Sequence, residues 1–178
     1  VVKGEVVSYE ARIIEGWSVD ELLAYLEGIK KLKKTIGKAN SKNLLDRLEL
    51  GLGNAEGRFL PDTYHYVKGD SDADILLRAY EAMQKELSSV WDQRVGELQY
   101  ATEYDLLIAA SLIEKETGID SERNIISQVF NSRLKRKMRL QTDPSVIYGL
   151  GDFFDGNLRR SDLKLDTPYN CLLYTSDA

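Results

Sequence analysis

"LLIAASLIEKETG", residues 106–118, frames the reading of this chain. An almost unbroken apolar run, 106–113, ends abruptly in Glu114, Lys115 and Glu116. On a wheel of about 100° per residue the apolar side chains fall nearly all round. That predicts a mostly buried helix over about 103–117, with Gly118 as its stop. Glu116 then lies over Leu112 and Ile113, its i−4 and i−3 neighbours, while Glu114 points roughly the opposite way. Two carboxylates in a last turn oppose the helix dipole by about 0.3–1 kcal/mol each. Partial burial also disfavours the charged form. Both effects push toward a carboxylic acid that keeps its proton near neutral pH, the property a general acid needs. The same pattern also fits a frayed, solvated helix end with a Lys–Glu pair.

On the N-terminal side, Val6–Ile14 is rich in Val and Ile and reads as a strand. Ser18 and Glu21 form a capping box, with Trp17 and Leu22 at hydrophobic-staple positions, so a helix runs from about 19 to 27. "GIKKLKKTIGKANSKN" (28–43) is polar and basic and reads as a solvated connection. A short helix is expected around "LLDRLELGL" (44–52), then a turn and an extended piece over 56–66. Residues 71–95 place Leu76, Tyr80, Met83, Leu87 and Val90 at helical spacing. Beyond Gly118, Asp120 or Ser121 is expected to cap a helix with Ile125, Ile126, Val129, Phe130 and Leu134 on one face. A loop follows, then a short helix with Asp143 as N-cap, Pro144 at the first helical position and Gly149 as stop. The element order predicts an α+β chain, predominantly helical with a few strands.

The totals exclude several chemistries. With 178 residues, 43% hydrophobic and 30% charged, the composition is that of a globular protein. A formal net charge of −5 gives no electrostatic reason to expect nucleic acid as main partner. One cysteine, Cys171, rules out an internal disulfide framework and a cysteine zinc cluster. One histidine, His65, argues against a His-based metal site or a Ser-His-Asp triad. No metal or cofactor is therefore expected. His65 alternates with Tyr64 and Tyr66 and reads as a packed or surface histidine. "RLKRKMR" (133–139) has five cations in seven residues and reads either as a solvated helix end or as a grip on phosphate or carboxylate groups. Asp143 is explained by capping, whereas Gln141 and Thr142 have no such structural reason and suit a polar ligand.

"EGRFLPDTYHY", "AASLIEKET", "ERNIISQVFNSRLKRKMRLQTDPSVIYGLG" and "DTPYN" occur in the order seen in the YceG-like family, the endolytic murein transglycosylases known as MltG. The resemblance spans about residues 8–170, and "MRLQTDPSVIYG" is its most specific motif. It implies bacterial enzymes held in the inner (cytoplasmic) membrane by one N-terminal helix and facing the cell wall, with a LysM-like subdomain before the catalytic domain. It also implies cleavage of peptidoglycan glycan strands between N-acetylmuramic acid and N-acetylglucosamine, leaving a 1,6-anhydromuramyl end. The family's catalytic glutamate corresponds to Glu116, as sole acid and then base. Glu116-Thr117 is similar to the Glu-Ser pair of other lytic transglycosylases. Glu114, Gln141, Thr142, Asp143, Tyr148 and Asn170 are the candidates for substrate contacts, and components of the cell-wall synthesis machinery are candidate partners.

On this resemblance, residues 1–16 are a strand linking to a LysM-like part and 17–170 the catalytic domain. The tail "CLLYTSDA" (171–178) resembles read-through of a sequencing adapter. Two rivals remain open at this point. One is a non-catalytic wall-binding or scaffold module. The other is a nucleic-acid binder built on 133–139, whose affinity would fall steeply with salt.

Overall fold

The computed structural model describes residues 7–170. The chain divides between Gln93 and Arg94 into two compact units. The fold is α+β and mostly helical. The expected reading of the 171–178 tail lies outside the described residues.

In the first unit, β1 (Ser8–Arg12) pairs antiparallel with β2 (Thr63–Val67), Tyr9 opposite Tyr66 and Ala11 opposite Tyr64. One face of this ribbon is buried through Ala11, Tyr64 and Tyr66. His65 and Glu10 stand on the other face, both about two-thirds exposed, so His65 is a surface residue. The Tyr64 hydroxyl donates to the Leu60 carbonyl at 2.7 Å, and burial pushes its pKa up to about 12.

Helix α1 (Val19–Gly28) starts as its sequence requires. Ser18 Oγ accepts from the Glu21 amide and the Glu21 carboxylate accepts from the Ser18 amide at 2.7 Å. Trp17 lies against Tyr25, ring centroids 5.2 Å apart. Leu22 and Leu26 face a core that also holds Leu44 and Leu45 of α2 (Leu44–Arg47) and Ile75 and Leu76 of α3 (Asp72–Asp92). Each such side chain contributes about 1.5–3 kcal/mol on burial. The 28–43 segment is not a purely solvated connection. Leu32 and Ile36 are 3% and 5% exposed and join this core, while the lysines around them remain largely in water. Asp72 ties the segment down, accepting from the Thr35 amide at 2.8 Å and its hydroxyl at 2.7 Å. Along α3, Leu76, Met83 and Leu87 are buried as the spacing predicts, but Val90 is 45% exposed near the helix end.

Glu56 supplies a cap that no local pattern reveals. Both its carboxylate oxygens accept from the Val19 amide, at 3.1 and 3.2 Å, across 37 residues. Burial, followed by repulsion from Asp20 and Glu21, nevertheless raises its pKa above the ordinary 4.5. A raised carboxyl pKa means the folded state binds the proton more tightly than the unfolded one, so stability falls as pH rises from 4.5 through the folded value. Glu56→Gln keeps an acceptor for Val19 and removes the titration. Its stability relative to the parent, measured by urea unfolding, is therefore expected to be higher at pH 7 than at pH 3. A difference that is flat with pH would refute this assignment.

The second unit is helical. α4 (Glu103–Glu116) opens on a further capping box, Thr102 with Asp105. α5 is Asp120–Lys135 and α6 is Asp143–Leu150, with short 3-10 turns at Gly151–Phe153 and Asp162–Lys164. α4 contacts both α5 and α6. It is less buried than its composition predicts. Ala109 is buried, but Ile108 is 46% exposed and most other apolar residues are half-buried. Two neighbouring helices cover two sides of α4, and its apolar residues run round more than two.

α5 departs from expectation in the same way. Phe130 is buried, while Ile125 and Val129 are exposed. The five apolar positions span about 180° of the wheel, more than one contact covers. Its start is also different. Ile119 is the N-cap, with no side-chain cap from Asp120 or Ser121. Thr117 organises that turn instead, accepting from the Ile119 amide at 3.0 Å and donating to Glu122 at 2.7 Å. Among the described residues no helix is long and apolar enough to cross a membrane.

Candidate functional site

The two glutamates of the 114–116 turn engage different helices. Residues two apart on a helix point about 200° from one another. Glu116 meets the start of α6, where Thr142 Oγ1 donates to Glu116 Oε2 at 2.7 Å. Glu114 turns to α5, where Arg123 reaches it at 3.0 Å and also lies 3.4 Å from Asp120. The opposed directions read from the wheel are those observed. Glu114 is an ion-pair partner in the α4–α5 turn, which accounts for it without a substrate.

Glu116 is exposed. Its Oε2 is held by Thr142, and among the described residues Oε1 has no hydrogen-bond partner. A carboxyl anchored through one oxygen with the other open to an incoming group has the geometry of a proton donor and acceptor. Thr117, although adjacent in sequence, does not serve Glu116, because its hydroxyl bonds Glu122.

Thr142 and not Asp143 is the N-cap of α6, with Asp143 and Pro144 inside the first turn. Thr142 makes no side-chain cap to that helix and is 1% exposed. Its carbonyl accepts from the Ser145 hydroxyl at 2.8 Å. Gln141, just before it, is exposed and adopts φ +55°, a left-handed conformation that disfavours any residue with a Cβ. Asp143 is exposed. α6 runs one residue past Gly149 to Leu150, and Gly151 at φ +51° is the cap. Gly149 serves packing instead. A Cβ there would sit 2.7 Å from Thr167 Oγ1 and 3.5 Å from Tyr169 Cβ.

Tyr148, on α6, is 47% exposed and meets Tyr169 edge to face, centroids 4.9 Å apart. The pair presents two half-open aromatic rings. Asn170 is 1% exposed, and its amide donates to the carbonyls of Leu163 and Leu165 at 3.1 and 2.8 Å. It closes the C-terminal loop, and its amide does not face a ligand. The 133–139 stretch is partly engaged: Arg133 donates to the Leu140 carbonyl and Lys135 pairs with Glu97 at 3.0 Å. Arg133 and Arg136 line a groove of about 370 Å³ on α5 with Ile125, Val129 and Met138, apart from Glu116. Among the described residues no cluster of three His, Cys, Asp or Glu is placed to hold a metal ion.

The model of the YceG-like family matches residues 1–176. The chain belongs to the YceG-like family. A relative from Bacillus subtilis, named endolytic murein transglycosylase, is 38% identical over 117 residues, 65% of this chain and 31% of that protein. A protein of the same name from Streptococcus pneumoniae is 31% identical over 119 residues, 65% of this chain and 21% of that one. The crystal structure of a yceG-like protein from Listeria monocytogenes superposes with a TM-score of 0.68 at 26% identity, covering 96% of this chain and 61% of that one. The matched regions thus span about a third or less of these curated relatives. The YceG-like fold accounts for the helical α+β architecture. Glu116 and Thr142 both lie within the residues that the family model matches.

Proposed function

We propose that this chain carries the catalytic carboxyl of an endolytic peptidoglycan transglycosylase, with Glu116 as sole acid and base. The observation that carries this reading is the solvent-facing Glu116, anchored through one oxygen, while Glu114 is turned away to Arg123. A two-carboxylate glycosidase needs both acids flanking one bond, and Glu114 does not flank whatever Glu116 faces.

Protonated Glu116 gives its proton to the glycosidic oxygen. The bond from the muramic C1 to that oxygen breaks, and an oxocarbenium-like centre forms, stabilised by the sugar's own N-acetyl group or by the enzyme. Ionised Glu116 then takes the proton of the C6 hydroxyl as O6 bonds to C1. The 1,6-anhydro ring forms, Glu116 regains its proton, and no water enters. An intramolecular hydroxyl competes with water through effective molarities of about 10⁵–10⁸ M in well-oriented systems. Gln141, exposed beside the site, and the Tyr148–Tyr169 pair are the proposed sugar contacts, polar and stacking respectively. Asp143, exposed in the first turn of α6, is a further polar candidate. The basic groove on α5 suits carboxylates of the peptide stems.

The same reading places the protein at the bacterial cytoplasmic membrane, anchored by a single N-terminal helix beside a LysM-like part. Its catalytic side then faces the wall and the synthesis machinery. The deciding experiment digests purified peptidoglycan with the full-length protein in water enriched in heavy oxygen. Anhydro ends free of the label are expected by mass spectrometry. Labelled reducing ends would mean a hydrolase with a second carboxylate, and intact strands would favour a wall-binding module.

A further inference from the structure

We infer that Thr142 is a positioning residue for Glu116 and not a contact for substrate, an assignment that rests on the catalytic reading of Glu116. Three independent observations converge on it. The residue is 1% exposed, so its side chain is closed to a bulky ligand, and its hydroxyl donates to Glu116 Oε2 at 2.7 Å. It occupies an N-cap position, where threonine ordinarily satisfies the first amides of its own helix, yet it makes no such bond to α6. The residue before it, Gln141, is held at φ +55°, a conformation a non-glycine residue adopts only where its surroundings impose it. Two consecutive residues therefore depart from local preferences where the hydroxyl is set on the carboxylate.

The arrangement is fixed from below as well. The Ser145 hydroxyl, buried, donates to the Thr142 carbonyl at 2.8 Å and holds the backbone that carries the contact. Threonine is branched at Cβ and stiff about χ1, so its hydroxyl has a defined direction. The partner is the opposite kind of side chain: Glu116 is exposed, long and free to rotate unless held. A single bond to a rigid donor removes most of that freedom and leaves Oε1 available. A hydroxyl is also suited to a carboxyl that changes charge within one turnover, since it donates to the ionised form and accepts from the protonated one. Thr117 cannot replace it, because its own hydroxyl is bonded to Glu122.

Thr142→Val keeps the shape and removes the hydroxyl, while Thr142→Ser keeps the hydroxyl and loses the methyl. With soluble uncrosslinked glycan strands and the full-length protein, Thr142→Val is expected to lower kcat about 10–100-fold, a part of the general acid–base contribution, with KM within about twofold. Thr142→Ser should recover most of the rate. A raised KM at unchanged kcat would make Thr142 a substrate contact and overturn the inference, as would full activity in Thr142→Val or equal loss in the serine variant. Should Thr142→Val fail to fold by circular dichroism, Thr142→Ala is read in its place against the same serine control. Parent protein and Glu116→Gln are assayed alongside. An inactive parent or an active Glu116→Gln refutes the catalytic reading, whereas an active parent, a dead Glu116→Gln and an unaffected Thr142→Val refute only the positioning role.

Discussion

Glu116→Gln is expected to reduce glycan cleavage by about 10²–10⁴-fold, the range that general acid–base groups contribute, while leaving the melting temperature within a degree or two. The two halves of that expectation have separate causes. Glutamine has the size and polarity of glutamate, and its amide oxygen still accepts from Thr142 Oγ1, so the α4–α6 contact survives. Glu116 is exposed and forms no ion pair among the described residues, so the change strands no buried charge. The amide has no titratable proton, however, and neither protonation of the leaving oxygen nor deprotonation of the C6 hydroxyl can proceed. Glu114→Gln provides the contrast. It removes a partly exposed ion pair with Arg123, worth about 0.2–1 kcal/mol, and is expected to cost some stability with little loss of rate. Cleavage by Glu116→Gln at the parent rate would take this residue out of the mechanism, and a larger rate loss in Glu114→Gln would exchange the roles.

What sequence reasoning reached and missed follows from the range of the interactions involved. The Ser18–Glu21 box was legible because all its atoms lie within one turn. The Thr102–Asp105 and Ser71–Asp74 boxes are equally local, but aspartate stands where the usual pattern has glutamate or glutamine, which hides them from that pattern. Leu32 and Ile36 were hidden by composition: two apolar residues among six lysines look like a solvated stretch until a core exists to receive them. The opposed directions of Glu114 and Glu116 were readable from helical geometry alone. Their partners were not, because Thr142 is 26 residues from Glu116 and only the packing of α4 on α6 joins them. Thr142 was legible as a residue without a local structural reason, and its hydroxyl bonds the distant carboxylate. Asn170 misled in the opposite sense, because a polar side chain near a motif suggests a ligand while a buried one more often satisfies backbone carbonyls.

The helix that presents Thr142 is held to the C-terminal loop through Gly149, and Gly149→Ala is expected to destabilise the protein by up to about 2 kcal/mol. Two terms oppose one another. Alanine is the better helix former by about 1 kcal/mol. Against that, the new Cβ would lie 2.7 Å from Thr167 Oγ1, far inside contact distance, and overpacking of this kind costs about 1–3 kcal/mol. Threonine cannot swing away at low cost because it is stiff about χ1. Its hydroxyl is moreover buried without a hydrogen-bond partner among the described residues, so it adds nothing that its removal would lose. Thr167→Ala deletes that oxygen and leaves the Thr167 Cβ position at 3.5 Å, an ordinary van der Waals distance. The double variant is therefore expected to be at least as stable as the parent, since the helix-propensity gain is then unopposed. A double-mutant cycle by urea unfolding should return a coupling of about 1–3 kcal/mol. Simple additivity would show that the loop yields without cost. Coupling of the expected size would mean that Gly149 is required because the Thr167 hydroxyl approaches the helix too closely for a Cβ.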